Sequence, residues 1–155
     1  MEQAELVQAF FQMKGQVFHV HLFEAVSPIP KSEFFILHQV TEINKRHEKA
    51  STSHLAQCMS VSNPAISRTV KNLVEKDWLV RYEDDQDRRN ITLELTEQGQ
   101  AIYQETVNRV NQAYGQALNQ IELADLNAFI ETGYALARAM EKVKASYQQD
   151  NNQAE

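Results

Sequence analysis

Residues 53–99 read SHLAQCMSVSNPAISRTVKNLVEKDWLVRYEDDQDRRNITLELTEQG, and this stretch decides the fold. A short helical run over 53–59 puts Leu55, Ala56 and Met59 on one face. Ser60-Val61-Ser62 then makes a tight turn. Ser62 is a good N-cap and Pro64 suits the first turn of the next helix, expected over 63–76. Beyond it the hydrophobic period shifts. Trp78-Leu79-Val80-Arg81-Tyr82 and Ile91-Thr92-Leu93-Glu94-Leu95 are β-rich and flank a polar loop over 83–90, the pattern of a hairpin with a long charged tip. Thr96 is placed to cap the helix that follows. Two short helices, a tight turn and a hairpin follow one another in the order of a winged helix-turn-helix.

On either side the chain reads as helix. Leu6, Val7, Phe10, Phe11, Val17, Phe18, Leu22 and Phe23 mark a broad apolar surface on a helix expected over 3–26, which Ser27-Pro28-Ile29-Pro30 ends. A second helix is expected over 31–46, with Phe34, Phe35, Leu37, Val40 and Ile43 facing inward. After the hairpin come two long helices, expected over 97–119 and 123–147, and a polar, frayed tail over 148–155. The predicted class is mainly α, a winged helix-turn-helix over 31–99 with a small hairpin wing. The flanking helical parts span 1–26 and 100–147.

The helix over 63–76 has two chemically distinct sides. At 100° per residue Ile66, Val70, Leu73 and Val74 form a core stripe. Pro64, Arg68, Lys71 and Glu75 lie opposite, flanked by Ala65, Ser67 and Asn72. Small residues at the N-terminal end allow close approach to a major groove, and a helix N-terminus favours phosphate. Arg68 can contact guanine or phosphate in bidentate fashion, and Ser62 and Ser67 can bond phosphate or bases. An ordinary amphipathic surface helix fits this pattern equally well. The hairpin tip weighs toward DNA, because the adjacent Arg88 and Arg89 suit the strong negative potential of a narrow minor groove. Asp87 can hold one guanidinium by a bidentate pair and leave the other free.

These pieces together resemble the MarR family of bacterial regulators. The resemblance rests on His54-Leu55-Ala56, on Ser62-Asn63-Pro64-Ala65-Ile66-Ser67-Arg68, and on Leu73-Val74-Glu75-Lys76 followed by Leu79-Val80-Arg81. Asp87-Arg88-Arg89 and Leu95-Thr96-Glu97-Gln98-Gly99 complete it, in order and at the family's spacing. The sequence departs from the family at Ser60 and Asp77, where glycine is usual. Both positions are expected to be left-handed, at a cost of about 1 kcal/mol each against glycine. The resemblance implies a homodimer in which helices from both chain ends interleave and carry two winged domains. Two such domains imply a pseudo-palindromic site with half-sites about 10 bp apart. It also implies DNA contact through Ser62, Asn63, Pro64, Ala65, Ser67, Arg68, Lys71, Arg88 and Arg89, with Asp87 orienting the wing.

Composition bounds the alternatives. The net charge of −6 is uneven: −1 over 1–61, 0 over 62–91 and −5 over 92–155. Phosphate contact needs local positive charge, so this balance permits a DNA-binding middle but gives it a weak field. The single cysteine, Cys58, excludes an internal disulfide framework and fits a reducing cytoplasm. It is read as a small buried hydrophobe rather than a redox sensor. No signal peptide and no apolar run of membrane-spanning length are seen. No phosphate loop, nucleophile elbow or metal-binding helix motif points to an enzyme, and no cofactor or metal is expected. His19 and His21, two apart, diverge by about 160° on a continuous helix and cannot share a metal; His54 and Cys58 could, but lack further ligands. A small aromatic effector, as in many MarR relatives, would draw its pocket from Phe11, Phe18, Phe34 and Phe35, residues that equally suit plain core. The function expected is a cytoplasmic, DNA-binding repressor; a winged-helix protein-interaction module stays open beside it.

Overall fold

A computed structural model describes residues 2–83 and 91–152. The chain divides into two compact units, Met1–Ala113 and Tyr114–Glu155. In the first, α1 (Gln3–His19), α2 (Leu22–Val26), α3 (Lys31–Lys45), α4 (Thr52–Met59) and α5 (Asn63–Glu75) precede a two-stranded antiparallel sheet of β1 (Leu79–Glu83) and β2 (Ile91–Leu95). The register runs from Leu79↔Leu95 to Glu83↔Ile91. α6 (Glu97–Leu118) crosses the boundary between the units, and α7 (Leu123–Asn152) lies in the second. Among the described residues no helix is long and apolar enough to cross a membrane.

One core holds the first unit together. Ile36, Leu37, Val40 and Ile43 of α3 meet Leu55 of α4, Ile66, Val70 and Leu73 of α5, Leu79 and Leu93 of the hairpin, and Tyr103 of α6. All are buried, and each large aliphatic side chain so placed contributes about 1.5–3 kcal/mol. The sheet joins this core by its backbone too, since the Leu93 amide donates to Ala50 O at 2.8 Å. Two expectations change here. The helix expected over 3–26 is broken, because Val20 ends α1 and His21 adopts a left-handed backbone (φ 49°) before α2. Phe35 points outward, 39% exposed, and the inward position falls to Ile36. At the other end α7 continues to Asn152, through part of the stretch expected to fray.

Three helices end in the same way without glycine. After α4 the amides of Ser60 and Val61 donate back to Gln57 O and Ala56 O; after α5 those of Asp77 and Trp78 donate to Val74 O and Leu73 O. After α3 the amides of His47 and Glu48 reach Asn44 O and Ile43 O. Each is a Schellman closure, with a left-handed residue at its corner. The corner angles are φ 59° for His47, 52° for Ser60 and 57° for Asp77. The two corners expected from the sequence, Ser60 and Asp77, are therefore left-handed. Ser60→Gly should raise stability by about 1 kcal/mol, since only the Cβ penalty is removed. A thermal midpoint that falls in this variant would refute the reading of this corner.

Candidate nucleic-acid interface

The outer face of α5 is built by the turn before it. Ser60 turns the chain, and Ser62 sits extended at the N-cap position (φ −64°, ψ 144°) but makes no capping bond with its side chain. Its hydroxyl therefore has no protein partner among the described residues. Within the first turn Pro64 has no N–H and the Ala65 amide bonds Ser62 O at 3.1 Å. Among the described residues the amides of Ser62 and Asn63 have no acceptor, which leaves two free donors at this helix end, fewer than the sequence pattern alone suggests.

Ile66, Val70 and Leu73 face the core, while Ser62, Asn63, Pro64, Ala65, Ser67, Arg68 and Lys71 are all exposed. Small and polar groups thus occupy the start of the exposed face, and the cations lie one and two turns further on. Arg68 has neither ion pair nor hydrogen bond among the described residues. Lys71 Nζ stands 3.8 Å from Glu75 in an exposed pair, which constrains it little. Asn72 shares the exposed face, and Arg81 on β1 is exposed as well. Asp87, Arg88 and Arg89 lie outside the described residues, which resume at Ile91.

The wing root is more tightly built than the face it adjoins. The Thr96 amide donates to Trp78 O at 3.1 Å, its hydroxyl donates to Asp77 O, and that same hydroxyl oxygen accepts from the Gly99 amide at 2.9 Å. Thr96 thus caps α6, as expected, and also holds the chain where it leaves α5. A side chain missed by sequence reasoning completes the root. Lys76, at the end of α5, donates to both carboxylate oxygens of Glu33 at 2.7 and 2.8 Å and lies 4.7 Å from the centre of the Trp78 ring. The signal was present: Glu33 stands in the stripe Glu33, Ile36, Leu37, Val40, a charge where the period calls for an apolar residue.

The four phenylalanines considered for an effector pocket do not share one patch of ring contacts. Phe34 and Phe35 are neighbours at 5.8 Å, and Phe34 also packs on Phe23, on His38 and on Tyr103. His38 Nδ1 and the Tyr103 hydroxyl share a hydrogen bond of 2.9 Å, and burial pushes the Tyr103 phenol above its usual range. Phe11 pairs with Phe10, and Phe11 and Phe18 are exposed on α1. Among the described residues no ring contact joins them to Phe34 or Phe35.

Two further expectations are corrected. Cys58 is exposed, not buried, because Leu55 and Ala56 take the inward positions of α4 and Cys58 falls outside their arc. His19 and His21 do not diverge: the break at His21 brings their rings to 5.9 Å. Among the described residues no group of three His, Cys, Asp or Glu side chains is arranged to hold a metal.

Comparison with known proteins places this geometry. A MarR family transcription regulator of solved structure superposes with a TM-score of 0.77 at 16% identity, covering 90% of this chain and 93% of that one. The transcriptional regulator BldR from Sulfolobus solfataricus superposes with a TM-score of 0.67 at 20% identity, over 89% and 99%. At such identities these matches speak for the fold, and the MarR-like winged helix read from the sequence is the fold observed. In sequence, residues 53–99 lie within the region that a family model matches. The chain is 34% identical over 55 residues to the HTH-type transcriptional regulator SarZ of Staphylococcus aureus. That match takes in 36% of this chain and 37% of the relative's length. The model of the family described as transcriptional regulator SarA/Rot matches residues 22–106, more than half of the chain, from α2 through the wing into α6. The protein therefore belongs to the SarA/Rot family of transcriptional regulators.

Proposed function

We propose that this regulator acts as a homodimer that binds a pseudo-palindromic duplex and represses transcription. The observation that carries the reading is the exposed face of α5. Small residues at its start, with a Ser62 hydroxyl and an Arg68 guanidinium that have no partner among the described residues, form a surface that a major groove can receive. Its contacts are assigned to Ser62, Asn63, Pro64, Ala65, Ser67, Arg68 and Lys71. Arg88 and Arg89 at the wing tip are assigned to the minor groove, with Asp87 orienting them.

Self-association rests on the terminal helices. α1 has no buried residue, and Leu6, Met13 and Val17 on it are exposed. On α7 the residues Leu126, Phe129, Gly133, Leu136, Met140, Val143 and Tyr147 alternate by three and four, the seam spacing of paired helices. Five of them, Phe129, Leu136, Met140, Val143 and Tyr147, are 40–68% exposed within the single chain. A second copy is the occupant proposed. Release by a small aromatic ligand is proposed at Phe34 and Phe35; Phe11 and Phe18 belong instead to the self-association surface.

Selection from a random duplex library tests the reading. A pseudo-palindrome enriched at nanomolar affinity, with affinity falling steeply as salt rises, supports it. On that duplex Arg68→Ala and Arg89→Ala should each lose at least tenfold in affinity, about 1.4 kcal/mol, with the dimer intact. Unchanged affinity in both would overturn the contact assignment. The acidic net charge of −6 favours a second reading, a protein-interaction module; no enrichment even at low salt from a folded dimer would select it.

A further inference from the structure

The contact between α3 and α5 is mostly a slab of aliphatic side chains: Ile36, Leu37 and Val40 against Ile66, Val70 and Leu73. Such packing is strong but weakly directional, and it tolerates small rotations and slips of one helix on the other. Reading base edges tolerates less, because bidentate contacts need their donors held near hydrogen-bond geometry. Among the described residues one polar link ties the start of α3 to the end of α5, the ion pair of Glu33 and Lys76. Both carboxylate oxygens accept from a single ammonium, at 2.7 and 2.8 Å. The Glu33 side chain is 8% exposed and that of Lys76 42%. The same ammonium covers the Trp78 ring at 4.7 Å, and Trp78 O receives the Thr96 amide that pins the hairpin. One cation thus touches the scaffold helix, the end of α5 and the wing root.

An apolar pair would hold these elements together as well, since an ion pair with one partner buried and the other half-exposed adds little net stability. What an apolar pair lacks is direction. We infer that Glu33 and Lys76 are positioning residues: their ion pair fixes the rotation of α5 and of the wing root against α3, and discrimination between DNA sequences depends on it. This rests on the DNA-binding reading above and adds to it two residues outside the contacts assigned there. Glu33 is buried beneath the surface, and Lys76 is committed to Glu33 and the indole.

The test uses the full chain with four changes: Glu33→Gln, Lys76→Met, Lys76→Arg, and the apolar double variant Glu33→Met with Lys76→Met. The probe is the duplex selected by the parent protein, against a scrambled duplex of equal length. Glu33→Gln and Lys76→Met should lower the ratio of the two affinities at least tenfold, while binding to the scrambled duplex stays within twofold. The double variant should keep the parent's thermal midpoint within a few degrees and still lose the ratio. Lys76→Arg, which keeps a cation for the carboxylate and the indole, should retain most of it. A folded double variant that discriminates like the parent overturns the inference, and so does an equal loss on both duplexes, which marks a merely structural role. Should the parent itself select no duplex, the DNA reading fails, and hydrogen exchange still judges the positioning. In Lys76→Met the amides of Asp77 and Trp78 should exchange at least tenfold faster while those of Leu37 and Val40 hold. Unchanged exchange at all four overturns it.

Discussion

Gly99→Ala is expected to lower the thermal midpoint by about 10 °C and to spoil the wing, although the substitution replaces a poor helix former by the best one. By propensity alone the change at a helical position would stabilise by about 1 kcal/mol. Geometry reverses the sign. A Cβ on residue 99 would stand 1.9 Å from Trp78 O, 2.8 Å from its carbonyl carbon and 3.0 Å from its Cα, all backbone atoms that no rotamer change can move. To admit it, the first turn of α6 must leave the chain that connects α5 to β1 by more than 1 Å. That movement strains the three bonds around Thr96: its amide to Trp78 O, its hydroxyl to Asp77 O and the Gly99 amide to its hydroxyl oxygen. At about 1 kcal/mol per bond plus the overpacking cost, the loss comes to about 3–5 kcal/mol. For a chain of this size each kcal/mol moves the midpoint by about 2–4 °C. Calorimetry at fixed protein concentration checks it, and a midpoint within 2 °C of the parent would show that the root can relax freely.

The close approach at Gly99 also explains what was legible in the sequence and what was not. The Leu-Thr-Glu-Gln-Gly run shows a capping threonine, and the cap is there. The reason for its glycine is a neighbour twenty-one residues earlier, which no local pattern displays. Winged-helix order was legible because it rests on short-range signals. Ser62 and Pro64 start α5, the change of hydrophobic period starts the hairpin, and the corners at Ser60 and Asp77 are left-handed as the sequence predicts. Signals of this kind fail where two structures satisfy the same pattern. The apolar spacing over 3–26 suits one helix or two, and the left-handed turn at His21 falls in a stretch with neither glycine nor proline to announce it.

For the interface, the sequence showed which side of α5 faces outward, since Ile66, Val70 and Leu73 leave no other choice. It did not show which side chains there would be uncommitted. Lys71 and Glu75 are four apart and pair loosely, whereas Arg68 has Pro64 and Asn72 at that spacing and finds no carboxylate among the described residues. The exposure of Cys58 is hidden in the sequence for a related reason. A helix of eight residues has too few apolar positions to define its inward arc, and an exposed cysteine two residues from Ala56 looks much like a buried one. Glu33 shows the opposite case. A charge inside an apolar stripe was visible, but its partner stands 43 residues away and only the fold brings Lys76 to it.

The second large effect concerns α7. Leu136→Glu with Met140→Glu should convert the protein to a monomer and lower its affinity for a two-half-site duplex by about 10²–10⁴-fold, the advantage lost when two linked modules become independent. Both residues lie in the seam that runs from Leu126 to Tyr147, and both are more than a third exposed in the isolated chain. A thirty-residue helix with this much uncovered apolar surface is unusual for a stable monomer. Burying each of the large side chains is worth about 1.5–3 kcal/mol, and two carboxylates placed in the seam both remove that gain and add a desolvation cost. Gly133, with open space where a Cβ would stand, permits a close approach of a second helix at the middle of the seam. The variant should keep its winged unit, because the described residues that form the core around Leu37, Leu55, Val70 and Leu73 all belong to the first unit. Sedimentation at micromolar concentration, circular dichroism and DNA titration on the same sample separate the possibilities. A folded monomer with weak binding fits the expectation. A variant that remains dimeric would place self-association elsewhere, with the exposed face of α1 as the next surface to alter.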